Sequence, residues 1–292
     1  MVTSLTTITF DRFLEDVKQP RRALLRIDLS QTLFISSGAI VFLTVFLEGY
    51  VERSGRCPIL KVPHGSVRSY LGRAGFFTRL GSTIKVIPPV KKEQMRRSEA
   101  LRGTNHVLLE LSPVIRETEI QKLLFVLQSV LRDDLGYKKN DAYDVTTAAS
   151  EVLQNVFHHN ENGICGWVAM QLYKGDHGSF VELAIGDSGI GINRSLGENP
   201  KIGIYETDVE AITHAIQLGV SRFADKDRGN GFEALMGKVF KHEGTVTIRS
   251  GSGKVHIRMD KRTISTFKVP ELEGTQVVIT LPQKEARNGD RT

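Results

Sequence analysis

Cysteine is scarce in this sequence. Its 292 residues include only two, Cys57 and Cys165, which lie far apart and form no CxxC pair. A small disulfide scaffold needs several cysteine pairs, and a cysteine-rich zinc site needs closely spaced ligands. Both are therefore excluded, and the low cysteine content fits a protein of a reducing compartment. Hydrophobic residues at 40% and charged residues at 25% exclude wholesale disorder.

Long hydrophobic runs are missing as well. The most apolar stretch, residues 32–47, is interrupted by serine, glycine and threonine and is shorter than the roughly 20 residues that span a bilayer. The first residues lack the basic region and apolar core of a secretory signal. The sequence therefore predicts a buried helix at this stretch, in a soluble, cytoplasmic protein that makes no membrane contact.

The charge is moderately basic, with a formal net value of +6. Such a balance favours polyanionic partners, but the cations are dispersed, with one modest cluster at residues 90–102 (VKKEQMRRSEALR). A solvated linker explains that cluster better than a nucleic-acid contact. Nucleic acid is therefore an unlikely partner, and it stays open as an alternative.

The first 90 residues alternate between short apolar strands and amphipathic helices. This order predicts a small α/β domain with a largely parallel sheet. Strands are expected at ALLRIDLS, CPILKVP and STIKVIPP, with helices at residues 37–53 and 64–77 between them.

A basic linker over residues 91–104 separates this unit from a second one at residues 105–283. The second unit opens with VLLELSPV, continues with two helices at about residues 117–134 and 141–159, and ends with mostly consecutive strands. This order predicts an α+β two-layer sandwich with helices on one face of a mixed sheet. Residues 284–292 are expected to be a disordered tail.

Three polar motifs of the second unit carry the candidate chemistry. The first is EVLQN followed by HH, with Glu151, Asn155 and His159 at steps of four residues. Such steps place the three side chains on one ridge of a helix. A carboxylate and an amide oxygen suit Mg²⁺, although a solvated helix face is the alternative for this motif alone.

The second motif, AIGDSGIGI, places Asp187, Gly189 and Gly191 directly after an apolar strand. The aspartate offers an acceptor for a base amino group, and the glycines allow a close backbone approach. The GxGxxG spacing of a dinucleotide fold and the GK[ST] of a Walker A loop are both absent. A tight turn explains this motif equally well.

The third motif, DRGNGFEAL, places Arg228, Gly229 and Gly231 before a predicted helix. Free backbone N–H groups at a helix N-terminus favour phosphate oxygens. The intervening segment of about 36 residues is long enough to form a mobile lid.

The order of these motifs, closed by GTQVVITLP at residues 274–282, resembles the GHKL superfamily of ATP-binding domains. That superfamily includes histidine kinases, gyrase, MutL and anti-sigma-factor serine kinases, and the last branch is the most similar. The resemblance implies ATP and Mg²⁺ as cofactors. It makes Asn155 the Mg²⁺ ligand, Glu151 the general base, Asp187 the acceptor for adenine and Thr275 its support. Further nucleotide-binding residues by the same resemblance are His159, Gly189, Gly191, Arg228, Gly229 and Gly231.

The first unit is similar to the STAS domains of anti-anti-sigma factors. In that family a D-S-S-G turn carries a phosphorylated serine, whereas this chain has Ile35-Ser36-Ser37-Gly38 and lacks the acidic residue. A helix cap is therefore the preferred role for the serines, and phosphorylation is the alternative.

Together the resemblances imply a STAS-like unit fused to a GHKL ATPase, acting as a regulator. ATP hydrolysis, phosphoryl transfer to a serine of a partner protein and a non-catalytic ATP switch all fit the motifs. A nucleic-acid-acting ATPase of the MutL kind is the rival from another class. A protein partner is expected, and a homodimer stays open.

Overall fold

The architecture described here is that of a computed structural model. It describes residues 3–17, 24–100, 108–114, 117–159, 166–175, 178–199, 201–218, 237–239, 241–258 and 261–284, apart from a few side chains within them.

The first hundred residues build a small α/β unit around short parallel strands. The strands β2, β4 and β5 form a parallel sheet in that order, and β1 pairs with β3 in a separate parallel ladder. The predicted parallel sheet is therefore present. The elements are β1 (Ser4–Leu5), α1 (Phe10–Asp16), β2 (Arg26–Asp28), β3 (Phe34–Ile35), α2 (Ser37–Ser54), β4 (Ile59–Lys61), α3 (Ser66–Arg73), α4 (Phe76–Leu80), β5 (Lys85–Ile87) and α5 (Lys92–Ala100).

The remaining residues form one five-stranded sheet and its helices. The elements are β6 (Leu108–Val114), α6 (Glu117–Ser129), a π-helical turn (Val130–Asp134), α7 (Lys139–His159), β7 (Gly166–Gly175), β8 (Gly178–Gly186), α8 (Gly191–Gly197), α9 (Asp208–Leu218), β9 (Thr245–Arg258) and β10 (Thr263–Pro282).

The prediction of a mixed sheet is wrong for these described strands. Their order is β6-β7-β8-β10-β9, and all four pairings are antiparallel. Short connections account for two of these pairings, since β7 runs into β8 and β9 into β10 as hairpins. A parallel pairing would need a long crossover.

The five-stranded sheet has two apolar faces. The described helices α6 to α9 of the second unit all share the core of one face, which agrees with the prediction of helices on one face, and α2 of the first unit covers the other. The first face packs against α6 and α7, in a core that includes Met170, Leu183 and Ile185. The second face shares a core with α2 through Trp167 and Ala184, among others. Because strand side chains alternate between faces, apolar residues at successive positions require cover on both sides.

Helix α2 is apolar around its whole circumference, which is typical of a helix buried on all sides. All of its residues from Ser37 to Leu47 are buried, which confirms the buried helix predicted at this stretch. On the sheet side it lies so close that a Cβ at Gly186 would come within 3.0 Å of Val41 Cγ1. No helix among the described residues is both long and apolar enough to cross a membrane.

Polar contacts hold both ends of α2 on the sheet. At its start, Ser37 Oγ and the backbone N–H of Gly38 both donate to Glu182 Oε1 at 2.8 Å. Towards its end, Arg53 forms an ion pair with Glu273 of β10. Since each contact is made across more than 140 residues of sequence, α2 is tied to the sheet by specific partners as well as by apolar burial.

A buried ion-pair cluster ties α1 to the same sheet. Arg249 of β9 is fully buried, and its Nε donates to Asp11 Oδ1 at 3.2 Å. Its Nη2 donates to the carbonyl oxygen of Pro270, and Lys254 forms a second ion pair with Asp11. Removing Asp11 would leave a buried guanidinium without its carboxylate, which is strongly destabilising.

The predicted division into units at residues 91–104 stays a prediction. Part of that segment is helix α5, and residues 101–107 lie outside the described ranges. At the other end, the Lys284 N–H donates to the Leu135 carbonyl at 2.8 Å, and residues 285–292 of the predicted tail lie outside the description.

Glu48 of α2 makes stability dependent on pH. It accepts a hydrogen bond from Trp167 Nε1 at 2.5 Å. Burial raises its pKa from 4.5 to about 7, opposed by that hydrogen bond and assisted by the charge of Glu52. Between these two pH values the folded chain holds a proton that the unfolded chain has lost, so the Glu48 contribution to stability decreases as the pH rises through this window.

We predict that Glu48→Gln raises the free energy of unfolding at pH 8 by about 1–2 kcal/mol, after allowing for solvent screening, because the neutral amide costs less to bury. The gain should shrink towards zero at pH 5. Denaturant unfolding at several pH values measures it, with exposed Glu271→Gln as the control. A constant difference between Glu48→Gln and the parent across this range would contradict the assignment.

Candidate functional site

Asp187 lies where β8 ends, opposite Thr275 of β10. The register pairs Gly186 with Gln276, and the Asp187 N–H donates to the Thr275 carbonyl at 2.9 Å. The structure therefore brings together two residues that the motif analysis placed at one site.

The Asp187 carboxylate is only 6% exposed. Burial raises its pKa from 3.8 to about 6, while the backbone N–H groups of Gly189 and Thr275 lower it. The Gly189 N–H donates to Oδ1 at 2.7 Å. The group is thus an ionised acceptor above about pH 6, held by a turn that fixes its orientation.

Glycines surround Asp187 because no side chain fits there. A Cβ at Gly189 would come within 2.8 Å of Asp187 Oδ1. Gly274 has φ +75°, and a Cβ there would overlap the Asp187 carbonyl oxygen. Gly191 has φ +78°, and its Cβ would come within 2.8 Å of Ser250 Oγ. Conformation and space together therefore require glycine at Gly191 and Gly274.

Ser250 connects the parts of this site, and the sequence analysis did not identify it. Its Oγ accepts from the Ile192 N–H at 2.8 Å and donates to the Gly274 carbonyl at 3.0 Å. It also lies 3.4 Å from Thr275 Oγ1. The strand register places Ser250 opposite Thr275. A serine in a glycine-rich stretch of sequence gives no such signal by itself.

Helix α7 carries the first motif, and it packs on the first face of the sheet, which α6 also covers. Val152 and Leu153 are buried in the first core together with Ile185 and Ile192, as the helical spacing predicted. Glu151 is half-buried.

The other residues of the first motif are less fully described. The helix backbone continues through Asn155 and His159, but these two side chains lie outside the described part of the chain. Their predicted roles stay predictions.

The segment between the second and third motifs is described only as far as residue 218. There the Tyr205 N–H donates to Asn193 Oδ1 at 2.9 Å, and Asp208 Oδ2 accepts from the Ser252 N–H at 2.8 Å. These contacts anchor α8 and α9 against each other and against β9. Residues 219–236, which include Arg228, Gly229 and Gly231, lie outside the described ranges.

A metal centre made of protein side chains alone is not found in the described ranges. No three His, Cys, Asp or Glu side chains among them are grouped so as to hold a metal ion.

The two serines before Gly38 act as structural residues. Ser36 is the N-cap of α2, and its Oγ accepts from the Ala39 N–H at 3.2 Å. Ser37 is 1% exposed and donates to Glu182. The predicted helix cap is confirmed, and neither hydroxyl is accessible to a kinase in this conformation.

Comparisons with known proteins identify no family. No family model matches the chain, and no curated protein matches it. Among solved structures, the SiaB–SiaC complex from Pseudomonas aeruginosa aligns at 15% identity over 66% of this chain and 98% of that one, with a TM-score of 0.31. The N-terminal domain of a DNA repair protein aligns at 16% identity over 48% of this chain and 36% of that one, with a TM-score of 0.24. At such scores neither likeness decides the fold or the function.

Proposed function

We propose that this chain binds ATP with Mg²⁺ beside Asp187 and uses the nucleotide state to control a contact with a protein partner. The observation that carries the proposal is the buried Asp187 carboxylate at the end of β8, oriented by a glycine turn and adjacent to Thr275. An oriented acceptor in a partly desolvated site suits the amino group of an adenine base.

The surroundings of Asp187 support a flat apolar ligand. Ile190 follows the turn with 43% of its surface exposed, which leaves apolar area beside the carboxylate. The glycines at positions 189, 191 and 274 bring the backbone close to Asp187 without intervening side chains. A purine ring could thus contact backbone and Ile190 while its amino group meets the carboxylate.

The phosphate side of the proposal depends on α7. Asn155 is the proposed ligand for the magnesium ion, which neutralises phosphate charge when bound. Glu151, one turn earlier on α7, would accept a proton from water or from a serine hydroxyl. Arg228, Gly229 and Gly231 are proposed to contact the terminal phosphate, and His159 to assist nucleotide binding.

The regulatory part of the proposal is supported by the position of α2. Glu182, which accepts from Ser37 and Gly38, lies five residues before Asp187 along β8 and its end. Glu273, which pairs with Arg53, lies two residues before Thr275 on β10. The two neighbouring strands β8 and β10 thus contact α2, and in this proposal they would also contact the nucleotide. A change at the nucleotide would then affect the contacts with α2, and the reverse.

Hydrolysis, phosphoryl transfer and a binding-only switch remain distinct outcomes of this proposal. Incubation with γ-labelled ATP, Mg²⁺ and a partner protein separates them. Released phosphate indicates hydrolysis, a labelled serine on the partner indicates phosphoryl transfer, and neither product indicates a binding-only switch. A nucleic-acid-acting ATPase would instead show DNA binding that weakens steeply with salt.

We predict that Asp187→Asn weakens ATP binding at least about tenfold, because an amide oriented by the same turn offers a donor where the base needs an acceptor. Burial of the ionised aspartate already costs stability, so the neutral variant should fold normally. Calorimetry on both proteins at pH 7.5 (a value at which the carboxylate is ionised) measures the change, with exposed Asp133→Asn as the control. Unchanged affinity in Asp187→Asn would refute base recognition by this residue.

The roles of Glu151 and Asn155 can be separated. We predict that Glu151→Ala keeps ATP affinity within a few-fold while turnover falls by about 10²–10⁴, the usual contribution of a positioned base. Asn155→Ala should instead lose Mg²⁺-dependent ATP binding and turnover together. Exposed Gln154→Ala on the same helix is the control, and equilibrium binding is paired with phosphate release. Wild-type turnover in Glu151→Ala would show that another group is the base.

A further inference from the structure

A cavity of about 590 Å³ lies in the first half of the chain, remote in sequence from Asp187. It is formed where two neighbouring parallel strands end. After β4 the chain passes through His64 and Gly65 into α3, and after β5 it passes through Pro88 and Pro89 towards α5; all four residues line the cavity. Ligands of open parallel sheets bind at the carboxyl ends of strands, and the volume suits a small organic molecule.

The charge of the lining has a single sign. Arg68, Arg73, Lys91 and Arg97 contribute cations, and none of the described lining residues is aspartate or glutamate. Arg97 is engaged with Glu93 outside the cavity at 2.6 Å, and Arg73 Nη1 donates to Ser69 Oγ at 2.9 Å. The lining therefore attracts anions.

Arg68 is the buried one of these four cations, and its neighbours hold it in place. Its side chain is only 9% exposed, and the guanidinium lies over the Phe77 ring at 5.6 Å. Nη2 donates to the carbonyl oxygens of Pro88 and Pro89 at 2.9 Å each. These contacts fix the plane of the guanidinium, so little conformational freedom remains to be lost on binding.

The second terminal nitrogen of the same guanidinium, Nη1, is a donor without a partner among the described residues. Arg68 Nη1 is buried and has no hydrogen-bond partner within the described ranges. Burial also lowers the pKa of this arginine, because it removes the charge from water. A buried donor left unpaired is costly, and a ligand oxygen in the cavity would relieve that cost.

Two further features define the ligand. Gly65 is the N-cap of α3, and the first-turn N–H groups of a helix lack intrahelical partners and favour phosphate. Phe77, Val90 and Met95 give the cavity an apolar wall. We propose that this cavity binds a small organic phosphate, with the phosphate group at Arg68 and the start of α3 and an apolar or aromatic body against this wall.

The test is an amide chemical-shift titration of the full-length protein with phenyl phosphate at pH 8 and low salt. Expected are shift changes confined to residues around the ends of β4 and β5, with a dissociation constant of about 1 mM or lower. Inorganic phosphate and phenylacetate should bind at least about fivefold more weakly, since one lacks the ring and the other the dianion. Equal binding of either, or no shifts with phenyl phosphate, would overturn the proposal.

Variants locate the contact. Arg68→Gln should weaken phenyl phosphate binding by about tenfold or more, because it removes a charge-assisted donor. That variant also loses the contacts to Pro88 and Pro89, so the exposed Lys91→Gln serves as a second variant. It should weaken binding about two- to fivefold, because an exposed charge contributes about 1 kcal/mol or less.

Two controls complete the design. Lys85→Gln, at the opposite end of β5, should leave binding unchanged, and so should Asp187→Asn in the proposed ATP site. If Lys91→Gln and Arg68→Gln, tested as single variants, both bind phenyl phosphate as tightly as the parent, the cavity is not the site. Loss of binding in Asp187→Asn would show that the probe occupies the other site, and would also overturn the proposal.

Discussion

The fold depends on the fact that its five-stranded antiparallel sheet is apolar on both faces. Helices α6 and α7 cover one face, and the other would be exposed if the chain consisted of the second half alone. Helix α2 supplies that cover, and because it is itself apolar all round, it needs both the sheet and the small parallel unit as neighbours. Neither the sheet nor α2 has a satisfactory environment without the other.

Polar contacts give this packing one geometry. Glu182 lies on the second face and accepts from Ser37 and Gly38, while Glu48 of α2 accepts from Trp167 on β7. Apolar burial by itself would tolerate some sliding of a helix over a sheet. Carboxyl groups that must keep their donors penalise such sliding, because a buried polar group that loses its hydrogen-bond partner costs about 1–3 kcal/mol.

The same sheet carries the proposed nucleotide site at the end of its central strand, β8. Glu182 and Asp187 are separated by about 17 Å along the chain, at roughly 3.4 Å per residue, and their contacts fall on opposite sides of the sheet. If a nucleotide binds at Asp187, a shift of β8 would therefore also change the contact between Glu182 and the start of α2.

Much of the local structure could be predicted from the sequence. The buried helix at α2, the cap at Ser36 and the strands around β4, β5, β7 and β8 follow from apolar spacing and capping chemistry, which act within a few residues. The docking of α2 on the sheet could not be predicted, since Ser37 and Glu182 are 145 residues apart and neither belongs to a periodic pattern. Ser250 was missed for the same reason, because its role depends on strand register rather than on its neighbours in sequence.

The most direct test of this shared core uses Trp167, the single tryptophan of the chain, which lies between the sheet and α2. Denaturant unfolding is followed at once by tryptophan fluorescence and by far-ultraviolet circular dichroism, in the parent protein at neutral pH. The two halves share one core, so the two curves should coincide in midpoint and steepness. A fluorescence change that is complete while most helix and strand signal remains would show that α2 leaves the sheet independently, and would contradict the account.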